Sequence, residues 1–115
     1  MTVTIYHNPS CSKSRQTLEI IKKKGIEPII IEYLKVTPTK DKIKEILTIL
    51  DYAPRDLMRK KESIYAELKL EDSALSDDVL VNFMVKNPIL IERPIVIHNN
   101  KVAIGRPPEK ILDIL

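Results

Sequence analysis

The chain of 115 residues holds one cysteine and two histidines. A single cysteine cannot close an internal disulfide, so nothing ties the chain to an oxidising compartment. Two distant histidines, His7 and His98, with the single Cys11 do not make a metal site, and no metal is expected. The longest purely aliphatic runs are three or four residues, far short of a membrane span. The amino terminus enters a strand pattern directly, without a basic segment followed by a long apolar one. No secretory signal is therefore expected, and the cytoplasm is the expected compartment. A net charge of +3 is too small and too evenly spread for a nucleic-acid footprint.

What is present is an ordinary globular balance, 43% hydrophobic and 30% charged. That supports one domain over residues 1–115 with a core of its own. No internal repeat, low-complexity stretch or linker interrupts it.

Val3–Tyr6, β-branched and aromatic, reads as a strand. A helix follows, with Leu18 and Ile21 on one face, lysines in its last turn and Gly25 as a left-handed stop. Ile29–Tyr33 reads as a second, mostly buried strand, which makes a βαβ unit with parallel strands. Thr37-Pro38-Thr39 opens an amphipathic helix carrying Ile43, Ile46, Leu47 and Leu50. Pro54 starts a short helix over Arg55–Lys60, and Ile64–Leu70 adds another turn or two. Ser76 caps a helix whose buried face is Val79, Leu80, Phe83 and Met84, ended by Asn87-Pro88. Ile95–His98 and Lys101–Ile104 form an antiparallel hairpin about Asn99-Asn100. Gly105-Arg106-Pro107-Pro108 breaks it and begins a last helix through Ile111, Leu112 and Leu115. The expected fold is α/β: a four-stranded mixed sheet built as βαβ, helical insert and ββα, with flanking helices.

Cys11 falls where the first strand turns into a helix. The first N–H groups of a helix have no internal partners, and the helix dipole adds partial positive charge there. Such a place favours a thiolate and can hold an oxyanion beside it. A buried structural thiol is the other reading. The polar setting of His7, Asn8, Ser10, Ser12, Ser14 and Arg15 favours the reactive one.

Fourteen lysines stand against five arginines, Arg15, Arg55, Arg59, Arg93 and Arg106. A surface solvated by lysine keeps arginine for places that need a planar cation with several donors. Arg15 is on the cysteine helix, Arg93 adjoins Pro94 and Arg106 follows the hairpin, so each can serve the Cys11 end of the sheet. The alternative is that all five are solvated or paired with some of the sixteen acids. His7 is read as supporting the cysteine loop, and His98 as a solvated turn residue.

Cys11-x-x-Ser14 in this element order resembles the thioredoxin arrangement with its second cysteine replaced by Ser14. That likeness implies a cis-proline before the third strand, at Pro94. Lacking a resolving cysteine, the chain must pass any thiol intermediate to an external thiol. Thr4-Ile5-Tyr6-His7-Asn8-Pro9-x-Cys11-x-x-Ser14-Arg15, Arg55-x-Leu57-x-Arg59-Lys60, Asn87-Pro88-Ile89-Leu90-Ile91-x-Arg93-Pro94-Ile95-Val96 and Gly105-Arg106-Pro107 together resemble the glutaredoxin-linked arsenate reductases, the ArsC family, nearly end to end. The resemblance implies Cys11 as nucleophile, with His7 and Ser14 helping to activate it. It implies Arg59, Arg93 and Arg106 as the arsenate-binding arginines, with Asn8, Arg15 and Pro94 in support. It further implies no bound cofactor, glutathione as co-substrate and glutaredoxin as protein partner. Two other readings stand beside it: a glutathione-dependent thiol–disulfide oxidoreductase, and a non-catalytic adaptor like the Spx-type regulators. Those regulators usually carry Cys-x-x-Cys, so Ser14 argues against the last.

Overall fold

The computed structural model describes residues 2–115 and divides them into two compact units. The chain up to Val36 joins Arg93–Leu115 in the first, and Thr37–Glu92 forms the second.

The first unit holds the sheet. Strands β1 (Val3–His7), β2 (Ile29–Glu32), β3 (Ile95–His98) and β4 (Lys101–Ile104) lie in the order β2-β1-β3-β4. β1 and β2 are parallel, joined through helix α1 (Ser12–Lys23), while β3 runs antiparallel to both β1 and β4. Four strands of mixed direction are what the βαβ and hairpin patterns require. Asn99 and Asn100, at φ 51° and 60°, supply the two left-handed residues of a tight hairpin turn. Val3 and Ile5 point to one face of β1, and Val96 lies opposite Ile5. These three pack with Ile21 of α1 and Ile111 to make the core of this unit. α1 ends as anticipated: Gly25 at φ 77° lets its N–H reach the Lys22 carbonyl while that of Ile26 reaches Ile21, a Schellman stop.

Three expectations for this unit are corrected. β2 is an edge strand and not mostly buried, with Ile29 and Ile30 at 52% and 43% exposure. His98 is buried instead of solvated, because its Nδ1 meets the carbonyl of Ile114 and ties β3 to the end of the chain. The last helix is a 3-10 segment, Pro108–Asp113, which buries Ile111 and leaves Leu112 exposed.

The second unit is helical. α2 (Lys40–Leu50) is capped by Thr39, whose side chain accepts from the N–H of Lys42, and buries Ile43, Ile46 and Leu47. α3 (Ser63–Glu67) is a single short turn pair. α4 (Asp77–Lys86) is capped by Ser76 and buries Leu80, Val81 and Met84. Val79, expected on its inner face, is exposed, and Phe83 is only half-buried. α4 packs against α2 and against two 3-10 turns, Pro54–Leu57 and Pro88–Leu90. The helix expected over Arg55–Lys60 stops at Leu57, because Met58 is extended and pairs with Ile91.

Arg55 has a structural task here. Its Nε and Nη2 both donate to the Leu70 carbonyl, at 3.1 and 2.9 Å, and Nη2 also donates to that of Asp72 at 2.7 Å. A lysine has no fork with which to keep both carbonyls. Arg55→Lys is therefore expected to lower unfolding free energy by about 1–3 kcal/mol, read by urea denaturation. An unchanged midpoint would show that the clamp carries no stability.

Candidate active site

Cys11 is the N-cap of α1, in extended conformation at φ −96°, ψ 122°. The turn that brings it there is held by its own N–H on the carbonyl of Asn8, 3.0 Å away. Asn8 Oδ1 accepts from the N–H of Ser10, and Arg15 Nη1 reaches back to the Pro9 carbonyl at 2.8 Å. Asn8 and Arg15 thus brace the loop from both sides. The N–H of Arg15 meets the Cys11 carbonyl and begins the helix ladder.

Cys11 is only 8% exposed, which by itself would fit a structural thiol. A cation lies against the sulfur. Arg106 Nη2 approaches Sγ to 3.6 Å, while its Nε donates to the Arg93 carbonyl at 2.8 Å. A permanent cation is therefore fixed beside the sulfur from the far end of the sequence. A guanidinium carries five N–H donors in one plane, a donor set of the kind that suits an oxyanion. The helix start contributes partial positive charge on the same side.

Pro94 follows a cis peptide bond after Arg93, as does Pro107 after Arg106. The Pro94 carbonyl accepts from the N–H of Gly105 at 3.0 Å. Cys11, Arg93, Pro94 and Arg106 are thus gathered by one set of backbone and side-chain bonds within the first unit.

His7 and Ser14 are brought to each other: His7 Nδ1 lies 2.6 Å from Ser14 Oγ, which also accepts from the N–H of Asn8 at 3.1 Å. Both side chains are buried. The pair supports the cysteine loop from beneath. Burial holds the His7 pKa below its ordinary value of 6.5; Glu32 opposes that shift, and Arg15 and Lys22 add to it. A ring that resists protonation when folded loses stability as pH falls, since the unfolded chain takes up the proton first. Unfolding free energy should therefore hold above pH 6.5 and decline below it. Thermal melts of the native chain and of His7→Gln over that range check this. A native profile as flat as that of the variant would remove His7 as the cause.

Arg59 belongs to the second unit. Its Nε and Nη2 lie 3.1 and 3.0 Å from Glu62 Oε2, and its Nη1 is 3.4 Å from Glu92 Oε1. Among the described residues, no group of three His, Cys, Asp or Glu side chains is placed to hold a metal, and no helix is long and apolar enough to cross a membrane.

Two site residues have little signal in sequence. Gly105 reads there as a strand breaker, but a Cβ at that position would run into Thr17 and come within 2.7 Å of Pro94 Cγ. Thr17 is itself fully buried and bonded to the Lys13 carbonyl of α1. Gly105 is what lets the segment between β4 and Arg106 lie close to both α1 and Pro94. Gly105→Ala should cost about 1–3 kcal/mol of stability through overpacking, read as a lowered urea midpoint. An unaltered midpoint would mean the neighbours yield freely.

This geometry defines a thioredoxin-like α/β protein with one thiol, set at a helix start beside an arginine. The family model described as the ArsC family matches residues 6–114. The chain belongs to the ArsC family. It is 50% identical over 114 residues to the Escherichia coli K12 protein called uncharacterized protein YfgD, covering 98% of this chain and 96% of that one. It is 44% identical over 113 residues to the arsenate reductase of Escherichia coli K12, covering 98% of this chain and 80% of that one. A solved structure, the arsenate reductase from Vibrio cholerae, superposes with a TM-score of 0.97 at 49% identity, covering 100% of this chain and 98% of that one.

Proposed function

We propose that the chain is an arsenate reductase that uses glutathione and glutaredoxin. The observation that carries the reading is the Arg106 guanidinium against Cys11 Sγ at the start of α1, in a chain akin to named arsenate reductases. Cys11 as thiolate attacks the arsenic of arsenate, an As–S bond forms, and one oxygen leaves as hydroxide. Arg106 and Arg93 neutralise the oxyanion as charge redistributes, and a forked donor suits two of its oxygens. Arg59 joins that role on the strength of the resemblance. His7 and Ser14 keep the loop in the attacking geometry.

The chain has no second thiol, so the next electrons come from outside. Glutathione adds to arsenic and displaces a further hydroxide. A glutaredoxin thiolate then attacks the glutathione sulfur and leaves as the mixed disulfide, while its two electrons take arsenic from +5 to +3. Hydrolysis of the remaining As–S bond releases arsenite and returns the Cys11 thiol.

Arsenite formation with glutathione and glutaredoxin, measured beside reduction of a glutathione mixed disulfide, tests the proposal. Arsenite formed in repeated turnovers supports it. Disulfide reduction without arsenite would favour the thiol–disulfide reading, and neither activity the adaptor.

A further inference from the structure

Arg106 comes to Cys11 from across the first unit, and α1 leads away from it. Forward from Cys11, the residues Arg15, Leu18 and Lys22 stand at i+4, i+7 and i+11, which is one stripe of an α-helix. The stripe flanks the buried one formed by Ser14, Thr17 and Ile21. Beside it lies an open groove of about 380 Å³, lined by Arg15, Leu18, Glu19, Lys22 and Lys23. All five belong to the first unit, as does the cysteine. The volume falls within the range of about 300–1,000 Å³ that small-ligand sites occupy.

The charges of the groove are ordered along it. Arg15 is drawn back to the cysteine loop by its Nη1 on the Pro9 carbonyl, so one cation stands at the near end. Lys22 stands about two turns further on and has no carboxylate partner among the described residues. Both cations lie near enough to His7, beneath the cysteine loop, to oppose its protonation. Glu19, between them in sequence, meets Lys23 at 3.7 Å, with both side chains largely exposed. A contact of that kind is loose and exchangeable. Leu18, half-buried, is the apolar residue of the lining.

A ligand that fits this order needs two negative groups set apart, and a positive group beside the farther one. Glutathione, the co-substrate of the reading above, is built that way. Its glycine ends in a carboxylate, and its γ-glutamyl end carries a carboxylate and an ammonium on one carbon. The thiol lies between the two ends. The rise along α1 is about 12 Å from Cys11 to Glu19 and about 16 Å to Lys22. Helix side chains lean toward the N-terminus and shorten both spans. A tripeptide reaches about 10 Å when extended, and arsenic adds a further link between its sulfur and Cys11.

We infer that this groove holds glutathione, with Arg15 on the glycine carboxylate and with Lys22 and Glu19 on the carboxylate and ammonium of the γ-glutamyl end. The tripeptide then lies along α1 with its sulfur at the Cys11 end, where it must join arsenic. The inference rests on the arsenate reading and adds to it how the co-substrate is recognised.

The test uses the whole chain, with the KM for glutathione read at saturating arsenate and glutaredoxin. Lys22→Glu should raise that KM by about fivefold to tenfold, and Glu19→Lys by a similar factor, since each sets like charges together. Lys22→Gln, which only removes a charge, should raise it by about threefold. Lys24→Glu makes the same change of charge outside the groove and should leave it within about twofold. Cysteinylglycine, which lacks the γ-glutamyl end, serves as a second thiol: the native chain should prefer glutathione to it, and Lys22→Glu should lose that preference. S-methylglutathione, which cannot react, is the binding probe in calorimetry. Thermal melts accompany each variant. If the native chain forms arsenite but the Lys22 and Glu19 variants keep its KM for glutathione, or Lys24→Glu raises it as much, the groove is overturned and the arsenate reading stands. A raised KM for glutaredoxin alone overturns the groove in favour of a protein-docking surface. If the native chain forms no arsenite the reading fails, and S-methylglutathione decides the groove separately. Binding that Lys22→Glu weakens upholds it, and binding that is absent or untouched by the substitution overturns it.

Discussion

Cys11→Ser is expected to abolish arsenite formation while leaving the fold in place. The loss should be complete within detection, because the chain carries no other thiol that could take over. A serine hydroxyl at this position has the same reach but is almost wholly protonated at neutral pH, so it is a far poorer nucleophile. The side chain of residue 11 makes no cap bond to the helix, so its replacement should not cost the helix its start. Stability should accordingly stay within about 1 kcal/mol of native. Arsenite assays and urea denaturation on the same preparation read both quantities. Residual turnover at even a few per cent of native would mean that arsenic is not bonded through Cys11.

The second large effect is expected at Arg106. Lysine there keeps the positive charge but cannot span the Arg93 carbonyl and Cys11 Sγ together, as Nε and Nη2 now do. Losing one preorganised donor at a developing charge costs on the order of 2–4 kcal/mol, or about 10²–10³ in rate. The fall should be carried by kcat/KM for arsenate. Arg106→Lys also gives up a bond to a backbone carbonyl, so a small drop in stability, about 1 kcal/mol, is expected beside it. Arg15→Lys is the comparison, since Arg15 reaches the Pro9 carbonyl and not the sulfur. Equal losses in the two variants would move the oxyanion site away from Arg106.

Local patterns carried much of this account. The strand–turn–helix around Cys11, the hairpin turn at Asn99-Asn100 and the caps Thr39 and Ser76 are each set by residues close in sequence. What lay beyond such patterns was fixed by partners far along the chain. Three isoleucines in a row look the same in a central and an edge strand, so the exposure of Ile29 and Ile30 had no local sign. His98 looked like a turn residue because Ile114, its partner, is sixteen positions on. Arg55 and Arg59 sit one helical turn apart on paper, and only the resemblance gave Arg59 an anion role and Arg55 none. In the structure the first clamps the carbonyls of Leu70 and Asp72, whereas the second is enclosed by Glu62 and Glu92. Gly105 carried a signal only in part: glycine is common after a strand, and its collision with Thr17 and Pro94 needs three segments in place.

The most direct check on the chemistry is mass spectrometry of the chain after incubation with arsenate and glutathione, with glutaredoxin left out. The account predicts arrest after one round, with a single arsenic- and glutathione-bearing adduct per chain located on the peptide containing Cys11. Sustained arsenite release without glutaredoxin, or a Cys11–glutathione disulfide formed as readily without arsenate, would contradict it.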